Sequence, residues 1–223
     1  MRGDSPSFAA VRRTAALGLV LAAALPAAAS ARPGVSLSLA PFAGAVALDS
    51  RLADYRWDTA VRPAWGLAGF ASLGRVAPGV RFWRSSTSQT TGIPGSDTSL
   101  DVSLTGFEAT AAVRMVSLAG FRLLATGSAG VMRMAWSPSS LALDVGLAEP
   151  VTVEFAPVTE GIFGAGLAMR RGLFAGFDLA VGAERSWFRL DTAHRRGNEI
   201  VEDRETFGNW AARVEISRPF LNL

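Results

Sequence analysis

Between Leu173 and Ser186 the chain alternates with a strict period of two. Leu173, Ala175, Phe177, Leu179, Val181 and Ala183 are interleaved with Gly176, Asp178, Ala180, Gly182, Glu184 and Ser186. Successive side chains of a β-strand point to opposite faces. One face of this segment is therefore greasy, and the other carries small residues and two carboxylates. The carboxylates need water or a partner, so the greasy face is the one to meet an apolar surrounding. A strand of this kind suits the wall of a barrel that is apolar outside and polar inside. Met169-Arg170-Arg171-Gly172, just before it, reads as a tight turn.

Seven further segments show the same habit, separated by turn-forming residues. They are 35–47, 64–73, 76–84, 99–115, 121–134, 151–169 and 207–217. In the fourth the parity switches: Leu100, Val102 and Leu104 are apolar in the first half, then Phe107, Ala109, Ala111 and Val113. An extra residue shifts the faces of a strand, so a bulge near Thr105-Gly106 is expected. In the last, Trp210, Ala212, Val214 and Ile216 alternate with Asn209, Ala211, Arg213 and Glu215.

The connections alternate in length. Residues 48–63, 85–98, 135–150 and 192–206 form long polar or Pro/Gly/Ser-rich stretches. Between them lie short links at Gly74-Arg75, 116–120 and 170–172. Short turns on one side and long loops on the other match transmembrane barrels. An even strand count puts both termini on the short-turn side. Trp65, Trp83, Trp136, Trp187 and Trp210 all sit at the long-loop end, where amphipathic rings favour the membrane interface. Parity turns Trp65, Trp187 and Trp210 toward lipid and Trp83 and Trp136 inward. Phe121, Phe174 and Phe220 mark the opposite interface.

Ahead of the first segment, residues 1–31 read as a secretory signal. Arg12-Arg13 closes a charged stretch, Ala15–Ala24 is apolar, Pro26 breaks it, and Ala29-Ser30-Ala31 is a small-residue cleavage site. Cleavage leaves one domain, 32–223. The pI of about 10.7 invites a nucleic-acid reading. However, the chain has 22 Arg and no Lys against 19 acids, and removing the signal leaves 19 Arg and 18 acids. A net charge of one generates no long-range field for nucleic acid. No Cys is present, which excludes disulfides and thiolate-bound metals.

Taken together, the signal, the opening Leu39-Ala40-Pro41-Phe42-Ala43-Gly44, eight strands and a closing amphipathic strand resemble the small outer-membrane β-barrels of OmpA and OmpX type. The resemblance covers residues 32–223. It implies an all-β, eight-stranded antiparallel up-and-down barrel in the outer membrane, preceded by a cleaved signal peptide. It also implies outer-membrane lipid and the barrel assembly machinery as partners. The family usually ends in an aromatic residue read by that machinery. Here the chain ends Arg218-Pro219-Phe220-Leu221-Asn222-Leu223, so Phe220, in the outward parity of Ile216, competes with Leu223 for that role. No peptidoglycan-binding domain follows the barrel segment, so the resemblance does not extend to anchoring on the wall.

Side chains just fill the interior of an eight-stranded barrel. Parity turns Arg81, Asp101, Glu108, Arg114, Arg122, Glu160, Asp178, Glu184, Arg213 and Glu215 inward. Charges in a narrow lumen must pair. Folding the last two strands together puts Glu184 beside Arg213; Asp178 has no evident partner.

Catalysis finds little support. The single His, His194, is followed by Arg195-Arg196 and lacks the Ser two residues away that eight-stranded lipid A deacylases use. Gly164-Ala165-Gly166 lies within a strand and is no nucleotide fingerprint. Asp49, Asp54 and Asp58 lack Ca²⁺-loop spacing. No metal or cofactor is expected. The expectation is a monomeric structural or surface-interaction barrel with a filled lumen, whose long loops take any extracellular ligand; Arg195 and Arg196 suit lipopolysaccharide phosphates. Its alternatives are a small passive or gated channel and a secreted lipocalin-like carrier.

Overall fold

Period-two patterning needs neighbouring strands to satisfy its backbone, and here each strand of the barrel wall finds two. The computed structural model describes residues 34–92, 97–143, 151–196 and 199–222. Its strands are β1 (Ser36–Ala47), β2 (Arg62–Ser72), β3 (Val76–Thr90), β4 (Ser99–Leu118), β5 (Phe121–Ser137), β6 (Ser140–Leu143), β7 (Val151–Glu154), β8 (Val158–Gly172), β9 (Asp178–Arg196) and β10 (Glu199–Asn222). Eight of them close a barrel in the order β1-β10-β9-β8-β5-β4-β3-β2, and β6 and β7 form a separate hairpin. Every barrel pairing is antiparallel. β1 closes on β10, so no edge runs the length of the wall.

Outside the barrel the apolar parity holds from strand to strand. Leu67, Val80, Phe107, Val131, Phe163, Leu167, Val181, Val214 and Ile216 are all exposed, Leu167 and Phe107 to 57%. In water such a belt would be a large apolar patch; around a transmembrane barrel it is the lipid-facing band. This arrangement rules out the lipocalin-like reading, which needs these faces inside and Asp178, Glu184, Arg213 and Glu215 outside.

Several boundaries differ from those read in the sequence. Arg170, Arg171 and Gly172 belong to β8, and the turn falls one step later, over 173–177. Ala175 (φ 55°) and Gly176 (φ 76°) supply its left-handed backbone, so the apparent alternation of Leu173, Ala175 and Phe177 is not strand. The sixth segment divides into the β7 arm and β8. The expected bulge at Thr105-Gly106 does not occur. The β4 register is regular there and slips instead between Arg114 and Val116. Leu100, Val102, Leu104, Gly106 and Glu108 consequently share one inward face, and Asp101 points outward. The apparent switch of parity reflects an apolar upper lumen. Finally, the 85–98 stretch begins as strand, with β3 running to Thr90, and the 192–206 stretch continues β9 and β10 as a ribbon to Arg196 and Glu199.

The upper lumen holds a core of the kind found in soluble proteins. Val46, Leu48, Leu52, Trp57, Trp83, Val102, Leu104, Met132, Met134, Ile162, Phe188, Leu190 and Phe207 pack together there. Leu52 and Trp57 come from the β1–β2 connection, which enters the barrel mouth. It does so through a 3₁₀ turn over Ser50–Tyr55, capped by the Asp49 side chain accepting from the Arg51 amide. The Asp49 amide donates to Asn209 Oδ1 at 3.1 Å, and Gly208 N–H donates to Asp49 Oδ2 at 2.8 Å. Arg51 Nη2 donates to the Thr206 carbonyl at 2.6 Å. Arg51 draws the Asp49 carboxyl down from its usual 3.8 to about 2, aided by the Gly208 and Arg51 amides against some desolvation.

Candidate functional site

Below the apolar core lies a belt of charge across the lumen. Arg81 projects from β3 and Glu184 from β9, on opposite walls. Arg81 Nη2 donates to Glu184 Oε1 at 2.5 Å and Nη1 to Oε2 at 3.0 Å. The same Nη2 donates to Glu108 Oε2 at 2.5 Å. Arg213 Nη1 donates to Glu184 Oε2 at 2.9 Å, and Ser128 Oγ to Oε1 at 3.0 Å. Trp83 Nε1 completes Glu108 by donating to its Oε1 at 2.5 Å. Arg81, Glu108 and Glu184 are 6%, 2% and 4% exposed, a depth at which each charge requires these partners. Two glycines make the room. A Cβ on Gly106 would stand 2.1 Å from Trp83 Nε1, and one on Gly164 2.6 Å from Glu184 Oε1.

The remaining inward charges form satellites. Arg122 Nη2 donates to Asp178 Oδ1 at 2.7 Å, giving Asp178 the partner its sequence neighbours do not reveal. Glu215 accepts from Arg170 Nη2 at 3.1 Å, and Glu160 from Arg204 Nη2 at 2.6 Å. Arg114 is half-buried, and no carboxylate pairs with it among the described residues. Between belt and satellites a cavity of about 50 Å³ is lined by Ala68, Leu124, Gly127, Ala168 and Gly182, with Arg81, Arg170, Glu184 and Glu215 at its polar edges.

Sequence reasoning missed four of these groups. Arg170 was assigned to a turn and Arg204 to a loop, although each continues the inward or rim pattern of its strand once the boundary moves. Parity turns Trp83 inward but names no partner for it, and nothing in the sequence singles out Ser128 as the hydroxyl that donates to Glu184. The apolar spacing of Leu48, Leu52, Tyr55 and Trp57 within a polar connection was a further signal, since a loop free in solvent has no use for it. The side chains of His194, Arg195 and Arg196 lie outside the described parts, as do residues 1–31 and Leu223.

The expected interface aromatics divide by height. Trp65 and Trp210 are more than half exposed on the outer wall. Trp187 stacks on Phe163 with ring centroids 5.5 Å apart. At the short-turn end Phe121 lies under Arg171, 4.8 Å from ring centre to guanidinium, and Phe220 is exposed. Trp83 and Trp136 point inward, where Trp136 Nε1 donates to Gln89 Oε1 at 2.8 Å.

A closed eight-stranded antiparallel barrel with an apolar outer belt, aromatic margins and a paired charge belt inside has the fold of the small outer-membrane β-barrels. Comparison with solved structures agrees. The Neisserial surface protein A aligns over 84% of this chain and 100% of its own at a TM-score of 0.55, with 10% identity. Ail, the attachment invasion locus protein of Yersinia pestis, covers 84% and 99% at 0.39 and 15% identity. The N-terminal barrel of Pseudomonas aeruginosa OprF covers 83% and 99% at 0.36 and 11%. At such identities the likeness concerns fold, and the first of these carries it. No protein-family model matches the sequence, and no curated protein does.

Proposed function

We propose that the barrel is a plugged, non-catalytic membrane scaffold whose work is done by what it holds above the outer leaflet. The observation that carries this is the double closure of the lumen. Arg81 spans from wall to wall to Glu184 and Glu108, and the apolar core seated by Leu52 and Trp57 lies above it. A diffusing solute meets first an apolar plug and then a salt-bridged belt, and eight strands leave no alternative route.

The exported part is the β9–β10 ribbon. Pairing of β9 with β8 ends at Phe188, and pairing of β10 with β1 ends at Trp210. The two strands run on with each other to Arg196 and Glu199, an extension of roughly 25 Å at about 3.3 Å per residue. A ribbon of this length, with the β6–β7 hairpin beside the same mouth, presents a surface for an extracellular ligand.

Planar-bilayer conductance tests the plug. The expected result is absence of stable openings of porin size, and such openings would favour the channel alternative instead.

A further inference from the structure

Among the described residues, three donors around the lower lumen are buried and have no hydrogen-bond partner: Arg81 Nε, Thr126 Oγ1 and Arg170 Nε. All three residues line the cavity of about 50 Å³ below the belt. They come from separate parts of the wall, β3, β5 and β8. Arg81 commits both terminal nitrogens to Glu184 and Glu108. Arg170 gives Nη2 to Glu215 and lies over the Phe70 ring, 4.5 Å from guanidinium to ring centre. Each guanidinium therefore keeps its Nε–H beyond the carboxylate pairing. Buried polar groups of this kind are nearly always satisfied, by protein, water or an ion.

The space exists because the inward positions here are small. Ala68, Ala112, Ala168, Ala180 and Gly182 line it, where an eight-stranded barrel otherwise fills itself with side chains. A single water needs about 10–15 Å³ of such volume, so the cavity takes a small ion with a few waters and no bulky guest. Charge decides the sign. Arg81, Arg114, Arg122, Arg170 and Arg213 face the lower lumen against Glu108, Asp178, Glu184 and Glu215, five cations to four carboxylates. A water accepts from the same three donors but leaves the surplus charge uncompensated. Glu184 and Glu215 stand at the cavity's edge, each engaged by arginine, and they disfavour any guest of more than one negative charge. Entry is from the short-turn side. The side chains of Arg122 and Asp178 there are 36% and 25% exposed, those of Arg81 and Glu184 only 7% and 4%.

We infer that this cavity binds one small monovalent anion of the halide class, held by Arg81 Nε, Arg170 Nε and the Thr126 hydroxyl. The bound ion ties β3, β5 and β8 together beneath the Arg81–Glu184 pair. The assignment concerns the short-turn half of the lumen and is independent of what the external ribbon meets.

The test uses the full mature chain refolded into neutral lipid vesicles, with refolding verified by heat-modifiable migration. Urea unfolding is followed at constant ionic strength while gluconate is replaced by chloride. An ion bound only by the folded state lowers the unfolding constant in proportion to its concentration above Kd, so each tenfold rise in chloride should lower it by up to tenfold. Bromide should act like chloride, and sulfate should not. Thr126→Val removes one donor at nearly constant volume, and Arg170→Gln removes a cationic one. Both should flatten the chloride slope, whereas Arg189→Gln, at an exposed arginine on the outer β9 wall, should keep it. The slope is read within each variant, so the midpoint shift from unpairing Glu215 in Arg170→Gln does not enter. Equal unfolding in chloride and gluconate overturns the site and leaves the cavity to water. A slope that survives in both cavity variants, or is lost in Arg189→Gln, overturns the location. Sulfate as effective as chloride overturns the small monovalent class.

Discussion

Arg81 and Glu184 meet across the full width of the lumen, Nη2 to Oε1 at 2.5 Å, although 103 residues separate them in the chain. β3 and β9 stand four strands apart in a ring of eight, so this ion pair is a strut between opposite walls. Glu108 and Arg213 extend it, and the four charges cancel. A lumen closed in this way resists both solvent entry and ovalisation of the barrel.

Removing Glu184 should therefore be expensive. In Glu184→Ala, Arg213 loses its carboxylate and Arg81 keeps only Glu108. Breaking a buried pair by deleting one partner costs roughly 3–5 kcal/mol. Reversible urea unfolding in lipid vesicles should show that loss, and an unchanged midpoint would mean that the belt is hydrated and energetically neutral.

The apolar plug makes a separate prediction. Phe207 is fully buried, within 5.9 Å of both the Tyr55 and Phe188 ring centroids. Phe207→Ala should destabilise by about 3–5 kcal/mol, as in a soluble core. A water-filled lumen would register almost nothing in the same unfolding experiment.

On the outer wall, exposure and tolerance should part company. Leu167 is 57% exposed, and a substitution at such a site in a soluble protein usually stays within about 0.5 kcal/mol. Leu167→Arg faces lipid instead and should cost roughly 2–4 kcal/mol. Vesicle unfolding of this variant distinguishes the two surroundings directly.

The seated first loop should respond to acid. The Asp49 carboxyl, held at about 2 against its usual 3.8, binds protons less readily when folded than when unfolded. Its contribution is complete above about pH 4 and disappears as pH falls through 2. Protection of the Arg51 and Gly208 amides from hydrogen exchange, taken relative to the intrinsic rate at each pH, should fall in that window. Asp49→Asn should remove that pH dependence of protection; protection that stays flat in wild type would show that the cap does not rely on the carboxylate.

Particular residues show how far the sequence could be read. The Glu184–Arg213 proximity followed from parity and hairpin connectivity, because β9 and β10 are consecutive and their pairing is local. The Arg81–Glu184 strut did not, since it requires knowing which strands oppose each other once the sheet closes. The alternation from Leu173 to Ser186 begins before the strand does. Leu173, Ala175 and Phe177 keep the alternation yet form the turn, because Ala175 and Gly176 adopt left-handed backbone there. Leu100, Val102 and Leu104 seemed to demand a bulge only under the assumption that the whole lumen is polar.

Alternation, breaker spacing and the placement of aromatics are properties of neighbouring residues, and by themselves they determined an eight-stranded barrel with lipid outside. Closure of the sheet decided the rest: that the upper lumen is an apolar core entered by Leu52 and Trp57, that the charges below it pair across the barrel, and that Arg81, Thr126 and Arg170 line one cavity. Each of these depends on register and curvature, which bring together residues far apart in the chain and leave no local trace in its pattern.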